Sequence, residues 1–320
     1  MTRSESKGGR NVSHSIMLHH FHGAAHPMRQ GSISSKQFEK LLQWLMSKYR
    51  LLSAGEYQEK AILGLLDPSD VCLSFDDALL CQYDVAVPLL KKYRLQAFFF
   101  VYSSPMMGQP DQLEIYSYFR SVKYASVDQF YEEFLQETKR LLGVRLVEFR
   151  QRFLELDYLK ERSFYSDNDR WFRFLRDNVL QKDQYDLIMK TLMTHKDFCA
   201  RSIYDALWLN DGHLHNLVDQ GHVLGLHSTT HPTVMACLSS EQQREEYKNN
   251  LDHLTSILGS HGEIKTMSHP CGRYNEDTLS ILRGLGIEIG FRSNMTHVER
   301  RTLLELPRED HTNIVRKLRI

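Results

Sequence analysis

The sequence predicts an α/β protein with parallel strands, interrupted by a large helical insertion. At both ends of the chain short apolar runs alternate with stretches of helical period, and strand–helix–strand alternation with short joins is how parallel sheets are assembled. Between residues 104 and 214 the strand signal gives way to charged, aromatic, helix-period text. The expected organisation is a disordered lead-in at 1–13, a first α/β segment at 14–103, the insertion at 104–214 and a second α/β segment at 215–320.

The elements follow in order. "MTRSESKGGRNVSHS" is polar and lacks an apolar signal core. "SIMLHHFH", Ser15 to His22, reads as a buried strand ending in histidines. In "SSKQFEKLLQWLMSKY" Phe38, Leu41, Leu42, Leu45 and Met46 share one helical face, with Ser34 or Ser35 as N-cap. "VCLSFDDALL" is a strand that runs into two adjacent carboxylates, Asp76 and Asp77. "DVAVPLLKKYRL" reads as a helix despite Pro88, and "QAFFFVY" as a strand apolar on both faces. Within the insertion the clearest helix is "SVDQFYEEFLQETKRLLG". Ser126 and Gln129 can form its capping box, Val127, Phe130, Phe134, Leu141 and Leu142 its apolar stripe, and Gly143 its stop. Similar segments lie near 145–162, 168–180 and 183–200. The insertion reads equally as a lid or substrate-selecting subdomain and as a packing layer or oligomer interface. The α/β rhythm returns with "GHVLGLHSTTHP", a polar helix, "IKTMSHPCGRY", "NEDTLSILRGLG", "IEIGF" and a last short strand in "LLELPRE".

Composition excludes several classes. Lysines plus arginines number 40 and aspartates plus glutamates 40, so there is no electrostatic case for nucleic acid or an anionic membrane. Five cysteines without a CxxC pair fit a reducing compartment rather than a disulfide framework or a cysteine zinc knuckle. No run of about eighteen apolar residues marks a membrane span. A soluble, cytoplasmic protein is the expectation.

In parallel α/β folds functional groups gather at the carboxyl ends of strands. Four such ends carry polar, metal-competent groups: His19 with His20, Asp76 with Asp77, His227 with His231, and the loop His269-Pro270-Cys271-Gly272. The four-residue spacing in "HSTTH" can put both imidazoles on one side of a helix or of a loop turning into one. Zinc and related divalent ions accept two imidazoles and a carboxylate and keep a position open for water. Asp77 can ligate such an ion, and Asp76 can take a proton from water that the ion has acidified. Each motif alone has a plainer reading: the aspartates as caps of the next helix, the histidines as polar surface groups. Together they point to metal-assisted hydrolysis. Cys72 lies mid-strand and reads as packing, and nothing local depresses the pKa of Cys271, so a cysteine nucleophile is set aside.

"SFDD", "HSTTHP" and "HPCGRYNEDTLSILRGLGIEIGF" resemble three motifs of the polysaccharide deacetylases, the NodB-like carbohydrate esterases, and occur in that family's order. With their flanks they span 71–102 and 220–293. The resemblance implies a distorted parallel (β/α) barrel and a divalent metal, usually Zn2+, held by Asp77, His227 and His231. It implies Asp76 as general base and the backbone N–H of Cys271 as oxyanion donor. "LHH", Leu18 to His20, resembles the acid-bearing strand that a permuted subgroup places ahead of the Asp pair. On that reading His20 protonates the leaving amine, with His19 and then His311 as alternatives. Four departures stand out: Ala78 replaces a glycine, Ser268 an arginine that orients the base, Cys271 an aromatic, and the tryptophan-bearing fourth motif is not evident. The implied activity is hydrolytic N-deacetylation of an N-acetylated sugar, as glycan precursor or polysaccharide. A nucleotide- or lipid-linked sugar of surface-polysaccharide biosynthesis is the preferred substrate. The alternatives are hydrolysis of another acyl or formyl amide or of an ester, and an inactive module that binds a partner.

Overall fold

The computed structural model describes residues 12–143, 145–160, 165–260, 262–296 and 302–320. As far as residue 11 the expected lead-in lies outside them. The chain forms two compact units: residues to 111 together with 204–320, and residues 112–203.

The first unit is built on seven strands: β1 (His14–Leu18), β2 (Asp70–Asp76), β3 (Phe98–Val101), β4 (Val223–Leu226), β5 (Thr266–Ser268), β6 (Ile289–Phe291) and β7 (Arg308–Asp310). All pair in parallel, in the order β7-β1-β2-β3-β4-β5-β6. The ring is drawn together between β6 and the approach to β7. There Leu306 N–H donates to Gly290 O at 2.8 Å and Arg292 N–H donates to Leu306 O at 2.9 Å. The result is the nearly closed, distorted (β/α) barrel that the motifs implied. A short strand at Arg50–Leu51 extends the sheet beside the start of β2.

Alternation along the strands sorts the side chains. Cys72, Phe98, Phe100 and Phe291 belong to one buried cluster, in which the Phe98 and Phe291 rings lie 5.2 Å apart. Further along β2 the same face presents Ser74 and Asp76, so the packing runs from aromatic to polar towards the carboxyl ends. The opposite face carries Phe75, stacked on Phe99 at 4.7 Å. On β4 only a glycine fits: a Cβ at Gly225 would sit 2.4 Å from Thr266 Oγ1 and 2.6 Å from the Phe100 ring.

Helices α1 (Ser35–Lys48), α2 (Ala54–Ile62) and α3 (Val87–Tyr93) cover the first strands. Ser34 caps α1 in a full capping box with Gln37, and Phe38, Leu41, Leu42 and Leu45 are buried. Met46, expected on that face, is 39% exposed. Pro88 is tolerated because it sits in the first turn of α3, where no carbonyl needs its missing N–H.

The second unit is helical among its described residues: α4 (Gln112–Lys123), α5 (Val127–Leu142), α6 (Arg145–Glu155), α7 (Asp167–Phe174) and α8 (Lys182–His195). Its core is aromatic, with Phe134 and Phe172 at 4.9 Å and Phe130 and Phe172 at 5.4 Å. Val127 and Leu141, expected in the stripe of α5, point outward, and Tyr131 and Thr138 are buried instead. Both are amphipathic enough to be satisfied there: Tyr131 shares a hydrogen bond with Asp169, and Thr138 Oγ1 donates to Phe134 O at 2.8 Å. Back in the first unit, α9 (Asp211–Asp219), α10 (Ser240–Leu258), α11 (Glu276–Gly284) and α12 (His311–Leu318) complete the outer layer.

Candidate active site

Strand alternation would send neighbouring carboxylates to opposite faces. Here Asp76 ends β2, and Asp77 and Ala78 follow with φ of 77° and 50°, in the left-handed region that few residues other than glycine adopt. The turn brings both carboxylates to one imidazole. His19 Nε2 lies 3.7 Å from Asp76 Oδ2 and 3.9 Å from Asp77 Oδ2.

The "HSTTH" segment is a loop, not a helix turn. Ser228 and His231 have φ of 67° and 54°, and this fold-back sets the two imidazole rings 4.8 Å apart. Helix α10 holds the loop in that shape. Glu246 accepts from the N–H groups of Thr229 and Thr230 at 3.0 and 2.9 Å and from Thr230 Oγ1 at 2.6 Å. One turn on, buried Asn250 accepts from His227 N–H at 3.0 Å and donates to Val101 O at 3.0 Å, tying the loop to the end of β3.

Asp77 Oδ1 lies 3.3 Å from His227 Nε2 and 3.5 Å from His231 Nε2, and one ligand atom from each of the three residues lies within 4.8 Å of the others. His227 Nδ1 donates to Ser268 O at 2.8 Å, which turns its other nitrogen, as a lone pair, towards Asp77. Asp77 Oδ1 is buried and receives no hydrogen bond. Three electron-rich atoms therefore face one another, an arrangement that fits a small divalent cation. Burial opposes ionisation of Asp77, but His227, His231 and His19 outweigh it and hold its pKa well below the usual carboxylate range. Burial pushes His231 down to about 4, so its imidazole is neutral at physiological pH. At His227 burial acts downward too, yet Asp76 and Asp77 prevail and raise its pKa.

Asp76 is held differently. Arg308 on β7 forks onto it, Nη1 donating to Oδ1 at 2.7 Å and Nη2 to Oδ2 at 2.8 Å. Ser268 Oγ accepts from the same Nη2 at 2.7 Å and donates to Asp76 Oδ2 at 3.3 Å. Burial alone would raise the Asp76 pKa, but Arg308, joined by His227 and His19, outweighs it and the net shift is downward. The arginine missing at position 268 is thus supplied by Arg308, which sequence reasoning passed over. Its one signal was a charged residue in the run "LLELPRE", read only as a last strand.

The other expected residues sort by their partners. His20 is half-buried, and its carbonyl accepts from Ile33 N–H at 3.2 Å. Both ring nitrogens of buried His311 meet backbone carbonyls, Nδ1 with Met17 O at 3.1 Å and Nε2 with Gly31 O at 3.0 Å, so it anchors the chain. His269 meets Leu304 O at 2.8 Å through Nε2 and stacks on Tyr274 at 4.2 Å, a core histidine whose pKa burial pushes down to about 4. Exposed Cys271 has φ of 52° in a single turn, Pro270–Gly272, after β5. Cys72 is fully buried, and burial pushes its thiol up.

Residues 199–290 match the polysaccharide deacetylase family model. The resemblance read from the motifs is borne out there. The matched stretch contains His227, His231 and the 269–272 loop; Asp76, Asp77, His19 and Arg308 join it through the barrel. No curated protein matches the chain. Among solved structures the chain is similar to the Streptococcus pyogenes deacetylase PplD, described in complex with acetate, at 18% identity over 94% of this chain and 96% of that one, with a TM-score of 0.54. It is similar to IcaB from Ammonifex degensii at 15% identity over 94% and 91%, TM-score 0.54. The deacetylase domain of BpsB from Bordetella bronchiseptica gives 14% identity over 94% and 95%, TM-score 0.52. At these identities the likeness is one of fold. No helix among the described residues is long and apolar enough to cross a membrane.

Proposed function

We propose that this protein hydrolyses the acetamide of an N-acetylated sugar, with a divalent cation, Zn2+ foremost, held by Asp77, His227 and His231. The observation that carries this reading is the donor-less Asp77 Oδ1 facing two imidazole nitrogens, beside a second carboxylate fixed by a guanidinium. When bound, the cation supplies Lewis acidity, polarising the acetamide carbonyl and acidifying water. Asp76 accepts the water's proton. The Arg308 fork keeps its carboxylate ionised and stops it rotating away. The backbone N–H of Cys271 is assigned to the developing oxyanion, which a preorganised donor stabilises more than it does the ground-state carbonyl.

An amine does not leave as an anion, so an acid is needed as much as a base. His19 is the group assigned, because its Nε2 is within 4 Å of both carboxylates while its side chain remains 29% exposed. It follows β1, which neighbours the Asp-bearing β2, and this supports an acid-bearing strand that precedes the Asp pair in the chain. The two distances to the carboxylates favour His19 over His20 within the "LHH" run.

The test is acetate release from N-acetylglucosamine and its oligomers, before and after chelation and after restoring Zn2+. Chelation should abolish release and zinc restore it. Asp76→Asn should lose about 10²–10⁴-fold in rate, the usual contribution of a general base, while still binding one metal ion. Release that persists without metal refutes the proposal, as does an Asp76→Asn variant of unchanged rate.

A further inference from the structure

The chemistry above draws on no residue of the helical unit, residues 112–203. That unit holds a cation without a counter-ion. Arg120, near the end of α4, is half-buried, and its Cζ lies 5.4 Å from the centre of the Phe130 ring and 5.2 Å from that of Phe172. Among the described residues no carboxylate pairs with it and no group accepts a hydrogen bond from it. Burial lowers its pKa; Tyr185 and Tyr131 oppose this, and Arg173 and Arg176 add to it. A guanidinium nonetheless stays charged at physiological pH. Aromatic faces compensate a desolvated cation only in part.

A second donor close to it is also unused. Tyr185 on α8 is 5% exposed, and its hydroxyl has no hydrogen-bond partner among the described residues. Burial raises its pKa and outweighs the nearby Arg120 and Arg176, so it keeps its proton. The Phe172 ring is the shared neighbour: the Arg176 Cζ lies 5.8 Å and the Tyr185 ring 6.3 Å from its centre. The surrounding carboxylates are committed elsewhere. Asp177 accepts from Arg176 Nε at 2.5 Å and from Tyr158 Oη at 2.9 Å, and Asp186 from Lys182 Nζ at 2.7 Å and from Tyr116 Oη at 2.9 Å. Asp169 accepts from Tyr131 and closes the capping box of α7. What is left over is a planar fork of N–H donors and one O–H, all acidic enough to seek an oxyanion. A flat carboxylate would be filled by the fork alone, whereas a tetrahedral anion has oxygens for both. We infer that Arg120 and Tyr185, helped by Arg176, bind a phosphate group, carried by a small soluble ligand or by a lipid headgroup. Neither residue enters the deacetylase chemistry, so the site stands or falls apart from it.

The experiment compares the full-length wild type with Arg120→Met, Arg120→Lys and Tyr185→Phe. Methionine keeps an unbranched apolar stem and phenylalanine keeps the ring, so packing is preserved. Inorganic phosphate and glycerol 3-phosphate are titrated by calorimetry, with sodium chloride at equal ionic strength as the control for screening. Vesicles of phosphatidylcholine, with and without phosphatidic acid, are tested by flotation. Thermal midpoints are taken with and without phosphate. Wild type should bind a phosphate probe saturably. Tyr185→Phe should weaken that binding by about tenfold or more, as loss of a hydrogen bond to a charged group does. Arg120→Met should abolish it, and Arg120→Lys should restore only part, because a point charge lacks the fork. Without phosphate, Arg120→Met should melt no lower than wild type, since an unpaired, half-buried charge is gone. Saturation by a soluble probe identifies a small ligand. Flotation that requires phosphatidic acid and fails in the variants, without a response to soluble probes, identifies a headgroup. Asp77→Asn should bind phosphate as wild type does; if it alone loses binding, the anion sits at the metal centre and the site is refuted. Binding that all the variants keep, or none in any arm, overturns it too. So does a wild type that phosphate leaves unmoved while Arg120→Met melts lower, because Arg120 then serves packing alone.

Discussion

Arg308→Met removes the guanidinium that forks onto the proposed base. Two hydrogen bonds of 2.7 and 2.8 Å go with it, between side chains that are 1% and 3% exposed. Breaking such a buried pair from one side costs about 3–5 kcal/mol, because the remaining charge stays buried. The pH dependence has a definite sign. In the wild type the Asp76 pKa lies below its unfolded value, so the pair stabilises above that value and its contribution is lost as pH falls through the folded pKa. In the variant burial dominates, the pKa rises above the unfolded value, and protonation relieves the strain of the buried charge. The difference in stability should therefore be largest near pH 7 and shrink on acidification. Urea midpoints of the metal-free proteins at pH 7 and pH 4 measure this. Adding Asp76→Asn to Arg308→Met should recover much of the loss at pH 7, since no unpaired charge remains. In activity the acid limb should move upward by about one to three pH units, the span over which a neighbouring arginine depresses an aspartate. Equal midpoints at pH 7, or a gap that ignores pH, would show that the fork does not govern Asp76.

Asp77→Asn replaces an anionic ligand by a neutral amide, and zinc content after dialysis should drop from about one ion per chain to a small fraction; full retention counts against the triad. His19→Gln should slow amide hydrolysis by about 10²–10⁴-fold yet slow p-nitrophenyl acetate cleavage far less, because nitrophenolate leaves without a proton. If His20→Gln shows that pattern instead, the acid is His20. Gly225→Ala forces a methyl to within 2.4 Å of Thr266 Oγ1 and 2.6 Å of the Phe100 ring, an overpacking that should lower stability by about 1–3 kcal/mol or more in a denaturation series. Glu246→Ala frees the Thr229 and Thr230 amides and should weaken zinc binding by about 10–100-fold, as loss of groups that orient ligands does elsewhere. An unchanged affinity would mean the histidine loop keeps its shape unaided.

What could be read in advance was local. The apolar run before Asp76 and Asp77 and the spacing of His227 and His231 depend only on neighbours in the chain. So does the capping serine of α1, and all of these stood as expected. The errors in helix faces were local as well. Met46, Val127 and Leu141 fit an apolar period but lie at the margin of the buried stripe, where a tyrosine or threonine with a hydrogen-bond partner is buried in preference. Two aspartates adjacent in sequence were recognisable as a pair. That they turn to the same side follows from φ of 77° and 50° at Asp77 and Ala78, which residue type does not signal when glycine is absent.

By itself, then, the amino-acid order determined the parallel α/β class, the polar groups at the strand ends and the motifs that resemble those of the polysaccharide deacetylases, because each is written in contiguous residues. Tertiary structure alone decided which groups serve them. Asp76 and Arg308 are separated by 232 positions and meet only because the barrel seats β7 next to β1 and β1 next to β2. The double duty of Ser268 and the approach of His19 to both carboxylates arise in the same way. Each depends on distances between strands, and a linear text carries periodicity but no distance.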